Sequence, residues 1–110
     1  MRTVSVLLLA LLAAPTAASA GEIYGKIVAG GAPVGESATV EMKCARKAYP
    51  AVKTDKTGSY RIVVEETGKC SLTVNWKGQA ASLDLASYED AVQADLVLEV
   101  KAGKLTVRRK

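Results

Sequence analysis

From Ile23 onward the chain alternates apolar and polar residues with a period of two, and helical spacing is hard to find in it. Every second side chain faces the same way only in a pleated strand, so a segment with one apolar set is a half-buried antiparallel strand. Ile23, Gly25, Ile27 and Ala29 share one face of a first strand, with Tyr24, Lys26 and Val28 on the other. After the turn-rich GGAPVGES, Ala38, Val40, Met42 and Cys44 alternate with Thr39, Glu41 and Lys43. Tyr60, Ile62 and Val64 form a third set, and Cys70, Leu72, Val74 and Trp76 a fourth. Leu83 and Leu85 flank Asp84, a long run leads from Val92 to Val100, and Leu105 to Val107 form a final strand. Gly30-Gly31, Thr67-Gly68-Lys69, Lys77-Gly78 and Ala102-Gly103 punctuate them as turns.

About seven short strands at this spacing predict an all-β fold, a seven-stranded antiparallel Greek-key sandwich of immunoglobulin-like size. Cys44 and Cys70 each fall on the apolar face of their strand, so both thiols point into one core. Trp76 is an even number of residues from Cys70, which places its indole on that face, near the cysteines. The only expected departure from strand is Ser87-Tyr88-Glu89-Asp90, a polar loop or single helical turn.

The first twenty residues do not follow this pattern. Arg2 precedes an apolar core from Val4 to Ala14, Pro15 breaks it, and Ala18-Ser19-Ala20 is a small-x-small cleavage signal. The apolar run is too short for a membrane-spanning helix, which needs about twenty residues. Residues 1–20 are therefore expected to be a signal peptide, and residues 21–110 one mature domain, exported to the periplasm or secreted. In that oxidising setting Cys44 and Cys70 are expected to form a disulfide; the alternative is two buried thiols. Closing the loop between them is worth about 3.5 kcal/mol in the chain-entropy model.

The composition restricts function. The chain has no histidine and no phenylalanine, and its two cysteines are not spaced as C-x-x-C. A Ser-His-Asp triad, an imidazole base and an ordinary zinc site are thus excluded. No catalytic residue, metal ligand or cofactor is expected, and the chain is read as no enzyme.

KTDKTGSYRI, residues 53–62, is where a site would most easily be placed. Calcium requires six to eight oxygen ligands, and here a single carboxylate, Asp55, lies between Lys53 and Lys56. A structural turn fits better. Asp55 accepts nearby backbone N–H groups, Gly58 supplies a positive φ, and Tyr60 opens the next strand with its ring inward.

Ile23-x-Gly25-x-Ile27, then Gly31, Pro33, Val34 and Ala38, then Thr54-Asp55-x-x-Gly58-x-Tyr60, then Gly68-x-Cys70-x-Leu72-x-Val74 together resemble the carboxypeptidase regulatory-like domain. The resemblance spans about residues 23–98 and implies a transthyretin-like β-sandwich of seven strands. It implies function only generically, because such domains serve as folding or interaction units beside enzymes, transporters and surface proteins. This chain departs from the family in having Cys70 where an aromatic is usual, and in having Cys44 at all. Transthyretin-like folds include a hydrolase of 5-hydroxyisourate that needs histidines and a C-terminal Tyr-Arg-Gly-Ser. This chain ends Thr-Val-Arg-Arg-Lys, and that activity is not carried over.

The resulting expectation is an exported, non-catalytic module acting as a structural or interaction domain at the cell envelope or outside the cell. The alternatives are a small inhibitor or accessory subunit of an exported enzyme, or a glycan-binding module using Tyr24, Tyr49 or Tyr88. A protein or glycan partner is expected, and no nucleic acid. The mature part carries 14 basic and 11 acidic residues, and five of the basic ones fall in the last ten positions. Lys104, Arg108, Arg109 and Lys110 are therefore candidate contacts to an anionic surface, against the simpler reading that they guard a sheet edge. Mass spectrometry of exported protein should find Gly21 as the new N-terminus; retention of residues 1–20 would refute the cleavage reading.

Overall fold

The computed structural model describes residues 21–110, and the expected signal peptide lies outside the described residues. Ten strand segments carry the fold: β1 (Gly21–Ala29), β2 (Ala32–Pro33), β3 (Ala38–Lys43), β4 (Ala48–Lys53), β5 (Ser59–Val64), β6 (Gly68–Trp76), β7 (Gln79–Ser87), β8 (Val92–Gln93), β9 (Leu96–Lys101) and β10 (Lys104–Arg109). Eight of them have six residues or more. The expectation of seven omits β4, and the long run from Val92 is two strands with a break at Ala94-Asp95. Ser87 closes β7, and the residues after it bend without forming a helical turn.

The strands form two sheets. One runs β4-β3-β6-β7, all antiparallel. The other is built on β1, which pairs antiparallel with β5 along Gly21 to Lys26. On its opposite side β1 pairs parallel with β8 and then with β9, and β10 completes that sheet by a hairpin with β9. Parallel pairing was not expected from the sequence. It follows from the crossover that returns the chain from the second sheet to β1, since adjacent strands joined by a hairpin must be antiparallel.

Burial follows the predicted faces. Ile23 and Ile27 of β1, Ile62 and Val64 of β5, and Leu96 and Leu98 of β9 are almost completely buried. From the other sheet Val40, Met42, Leu72 and Val74 meet them in a single cluster. Fully burying each such side chain is worth about 1.5–3 kcal/mol, so this shared layer is the main source of stability. The two hairpins β6–β7 and β9–β10 turn on two residues each, Lys77-Gly78 and Ala102-Gly103, all four at positive φ. That geometry matches the twist of the strands it joins.

Cys44 and Cys70 are joined as a disulfide, with their Cα atoms 4.2 Å apart. Lys43 pairs with Ser71, so Cys44, just past the end of β3, comes opposite Cys70 of β6. The bridge therefore ties neighbouring strands of one sheet. Trp76 is at the far end of β6, six residues away, or about 20 Å at the rise of a strand. Its indole does not pack at the bridge: Nε1 donates to Ser37 Oγ at 3.1 Å, and the Lys77 ammonium lies 4.6 Å from the ring centre. Replacing both cysteines by alanine should lower stability by roughly 2–4 kcal/mol, read as a drop in denaturation midpoint. Alkylation of the unreduced native protein should label neither sulfur.

Candidate functional site

The turn at residues 53–62 is held by its own backbone and side chains. The Gly58 N–H donates to the Asp55 carbonyl at 2.9 Å, and the Asp55 N–H to that of Ser59 at 3.0 Å. Asp55 Oδ1 accepts from the Thr57 and Ser59 N–H groups at 2.9 Å and from the Thr57 hydroxyl at 2.8 Å. These donors, the Ser59 N–H foremost, hold the Asp55 carboxyl below the usual carboxylate range. Gly58 has φ 77°, and a Cβ there would stand 2.9 Å from the Ile27 carbonyl oxygen. The Ile27 N–H donates to the Gly58 carbonyl at 2.9 Å, which docks the turn on β1. Thr54, buried beside it, donates its hydroxyl toward the carbonyls of Gly35 and Ala38 and so ties the Gly35–Ser37 3₁₀ turn to the end of β4. The oxygen of Asp55 that faces the turn is thus taken by three donors.

Tyr60 is 4% exposed, with its hydroxyl donating to the Ala94 carbonyl. Burial, and to a lesser extent the nearby Asp95 carboxylate, push its pKa far above the ordinary phenol value. The same Ala94 lies over Gly25, where any Cβ would collide with the Ala94 carbonyl oxygen. The Ala94 N–H donates to the Tyr24 carbonyl at 2.7 Å, and the Lys26 N–H donates to Asp95 Oδ1 at 2.9 Å. Arg109 Nη2 donates to the Gln93 carbonyl at 2.7 Å, and the Lys110 N–H to that of Asp95 at 2.8 Å.

Above this crossing is an open groove of about 790 Å³. Tyr24, Lys26, Lys53, Arg61, Gln93 and Asp95 line it, together with the Asp55 turn. A second open groove, of about 820 Å³, lies beside the β1–β2 turn and β9–β10; Trp76, Glu99, Lys101, Arg108 and Lys110 are among its lining residues. No family model matches the chain, and no curated protein is similar to it in sequence.

Strand register places the charges. The outward residues of the β1 sheet are those between the buried ones: Glu22, Tyr24 and Lys26 on β1, Arg61 and Val63 on β5, Glu99 and Lys101 on β9, Lys104 and Arg108 on β10. Tyr24 is directly opposite Arg61, and Lys101 opposite Lys104. This face carries five cations against two carboxylates. The outward face of the other sheet has Lys43 and Lys69 against Glu41 and Asp84, in balance, while Lys53 at the end of β4 lines the first groove.

The sequence-predicted basic tail is thus divided. Lys104 and Arg108 are on the outward face with Lys110 beyond the strand, whereas Arg109 has the parity of buried Leu105 and turns back to Gln93. Of the three candidate tyrosines, Tyr24 lines a groove and Tyr88 is 59% exposed, but Tyr49 is 7% exposed and belongs to the core. It was misplaced because β4 was not recognised. Lys26 and Arg61 went unnoticed as site residues, although their outward parity was visible; only the β1–β5 register brings Arg61 against Tyr24.

The depressed Asp55 pKa fixes the sign of a pH effect. Its contribution to stability is complete above the unfolded carboxylate value, near 3.9, and is lost as pH falls through the lower folded value. Asp55→Asn should therefore be less stable than the parent at neutral pH, and the gap in melting temperature should close as acid is added. A gap that is constant with pH would show that the charge on Asp55 does not matter to the turn.

Proposed function

We propose that the protein is an exported, non-catalytic interaction module that binds an anionic partner through the outward face of its β1 sheet. The observation that carries this reading is the concentration of Lys26, Arg61, Lys101, Lys104 and Arg108 on that one face, around two grooves. A face with an excess of one sign steers and holds oppositely charged partners, and salt weakens it because exposed charges are screened beyond about 8 Å at physiological ionic strength. Among the described residues Lys26 and Lys53 form no ion pair. Arg61 reaches Glu22 at 3.6 Å, while Lys101 and Arg108 share Glu99 at 3.8 Å. Exposed pairs of this kind contribute about 0–1 kcal/mol and leave the cations available.

Edge protection of β10 accounts for the basic residues less well. The Leu105 N–H donates to Gln79 Oε1 at 2.9 Å, so the side chain of β7 covers part of that edge. Lys26 and Arg61 belong to other strands altogether. Catalysis is disfavoured by the chemistry at the grooves: there is no histidine in the chain, and Asp55 and Asp95 both accept backbone N–H groups.

The family resemblance extends the reading to a carboxypeptidase regulatory-like, transthyretin-like Greek-key sandwich that follows a cleaved signal peptide. Two sheets with one shared core and a TDxxGxY segment that forms a self-contained turn support it. Export is supported by the disulfide, which persists in oxidising compartments. No helix among the described residues is long and apolar enough to cross a membrane.

The test is retention of the mature domain by the envelope fraction of its own cell at low salt. Replacing Arg61, Lys101, Lys104 and Arg108 by glutamine should abolish retention, while Lys43→Gln with Lys69→Gln on the other sheet should leave it intact. Equal retention of the two variants would overturn the assignment of the face.

A further inference from the structure

Both grooves take outward residues of the β1 sheet, and each combines an aromatic ring with several cations. Tyr24 accompanies Lys26, Lys53 and Arg61 in the first. Trp76 accompanies Lys101, Arg108 and Lys110 in the second. From Tyr24 to the position of Arg108 is four residues along the strand direction and two strands across. Strand rise and spacing make that roughly 16 Å.

The carboxylates of the first groove are directed into the protein's own structure, whereas Glu99 in the second is outward and shared by Lys101 and Arg108 at 3.8 Å. Asp55 Oδ1 is taken by the Thr57 and Ser59 donors, and the two oxygens of Asp95 by the Lys26 N–H and by Gln93 Nε2 at 3.2 Å. What faces outward in the first groove is therefore mainly donors: two ammonium groups and the planar guanidinium fork of Arg61, which suits a carboxylate or sulfate oxygen pair.

We propose, building on the anionic-partner reading, that the two grooves are successive subsites for a single acidic polysaccharide chain. A sugar stacks on Tyr24 while Lys26, Lys53 and Arg61 surround its acid group. Lys101, Arg108 and Lys110 receive another acid group further along the same chain. A tyrosine presents an apolar ring face with a polar tip, the combination that a sugar, apolar on one side and hydroxylated at its rim, can match. Two linked subsites raise the affinity for a long chain above that for a fragment, because the second contact forms at high effective concentration.

The surface fits other anionic partners less well. Protein interfaces are anchored by buried aromatic or aliphatic side chains near their centre, and interfacial membrane binding needs a continuous apolar face. Here the exposed large apolar residues are scattered. Val63 and Val100 are on opposite sides of β1, and Tyr88 is in the connection after β7.

The experiment is calorimetric titration of the mature domain with polygalacturonate and dextran sulfate. Their uncharged counterparts, methyl-esterified polygalacturonate and dextran, are the controls, and phosphatidylglycerol vesicles form a separate arm. The expected result is salt-sensitive binding to at least one acidic polymer, tighter for long chains than for short oligomers and at least about tenfold weaker for the uncharged counterpart. Lys26→Gln with Arg61→Gln, and Lys101→Gln with Arg108→Gln, should each weaken polymer binding by about tenfold or more. Tyr24→Ala should weaken it as well, and each of these variants should melt with the parent. Binding of vesicles without either acidic polymer would overturn the polysaccharide assignment and leave the anionic face standing. Binding of neither would overturn both. Polymer binding that is indifferent to chain length, or to one of the two paired variants, would overturn the two-subsite arrangement.

Discussion

The segment from Val92 to Asp95 crosses β1 at backbone contact, and the first groove depends on that crossing. Gly25 is what permits it, because any side chain there would strike the Ala94 carbonyl. The Ala94 amide then bonds to Tyr24, its carbonyl receives the Tyr60 hydroxyl, and Asp95 accepts the Lys26 amide. A buried amide or carbonyl left without a partner costs about 1–3 kcal/mol, so these bonds are mutually enforcing. They also position the site. Tyr24, Lys26 and Asp95 point into the groove because their backbone groups are already committed beneath it.

The turn that follows β4 is the other wall of that groove. Asp55 and Thr54 are adjacent in sequence but act in opposite directions. Asp55 organises the loop ahead of it, through Thr57 and Ser59, whereas Thr54 reaches back to the segment before β3. The residues most suggestive of chemistry are thus structural, and they present the cations Lys53 and Lys26 on either side. Electrostatics is not spread over the domain. One sheet face is basic and the other nearly neutral, and the tail contributes to the basic face through Lys104 and Arg108 while Arg109 serves the crossing.

Much of this was legible because a two-residue period has a direct physical meaning. Parity alone gave the buried faces of β1, β3, β5 and β6, and the turn chemistry of Asp55 and Gly58 needs only neighbours in sequence. β4 was missed for an identifiable reason. Pro50 interrupts its residues and its pairing with β3 shifts between Val40 and Met42, so no clean alternation survives and Tyr49 looked like a surface residue. The cysteine pairing was legible from parity and the expected compartment, but parity does not measure distance along a strand, so Trp76 reads as nearer the bridge than it is. The parallel association of β1 with β8 and β9 left no local trace. The grooves depend on it, so Gln93 and Asp95 could not be joined to Tyr24 and Lys26 from the sequence.

That parallel association has a temporal consequence. Val28 pairs with Val97, 69 positions later in the chain. The hairpins β6–β7 and β9–β10 require only neighbouring residues, and such local contacts form well before distant ones because short loops close at lower entropic cost. The strand synthesised first must therefore wait, with one edge bare, until nearly the whole domain has been made. Any truncation before β9 leaves the central strand of a sheet exposed as an edge, the arrangement from which strand-by-strand aggregation starts.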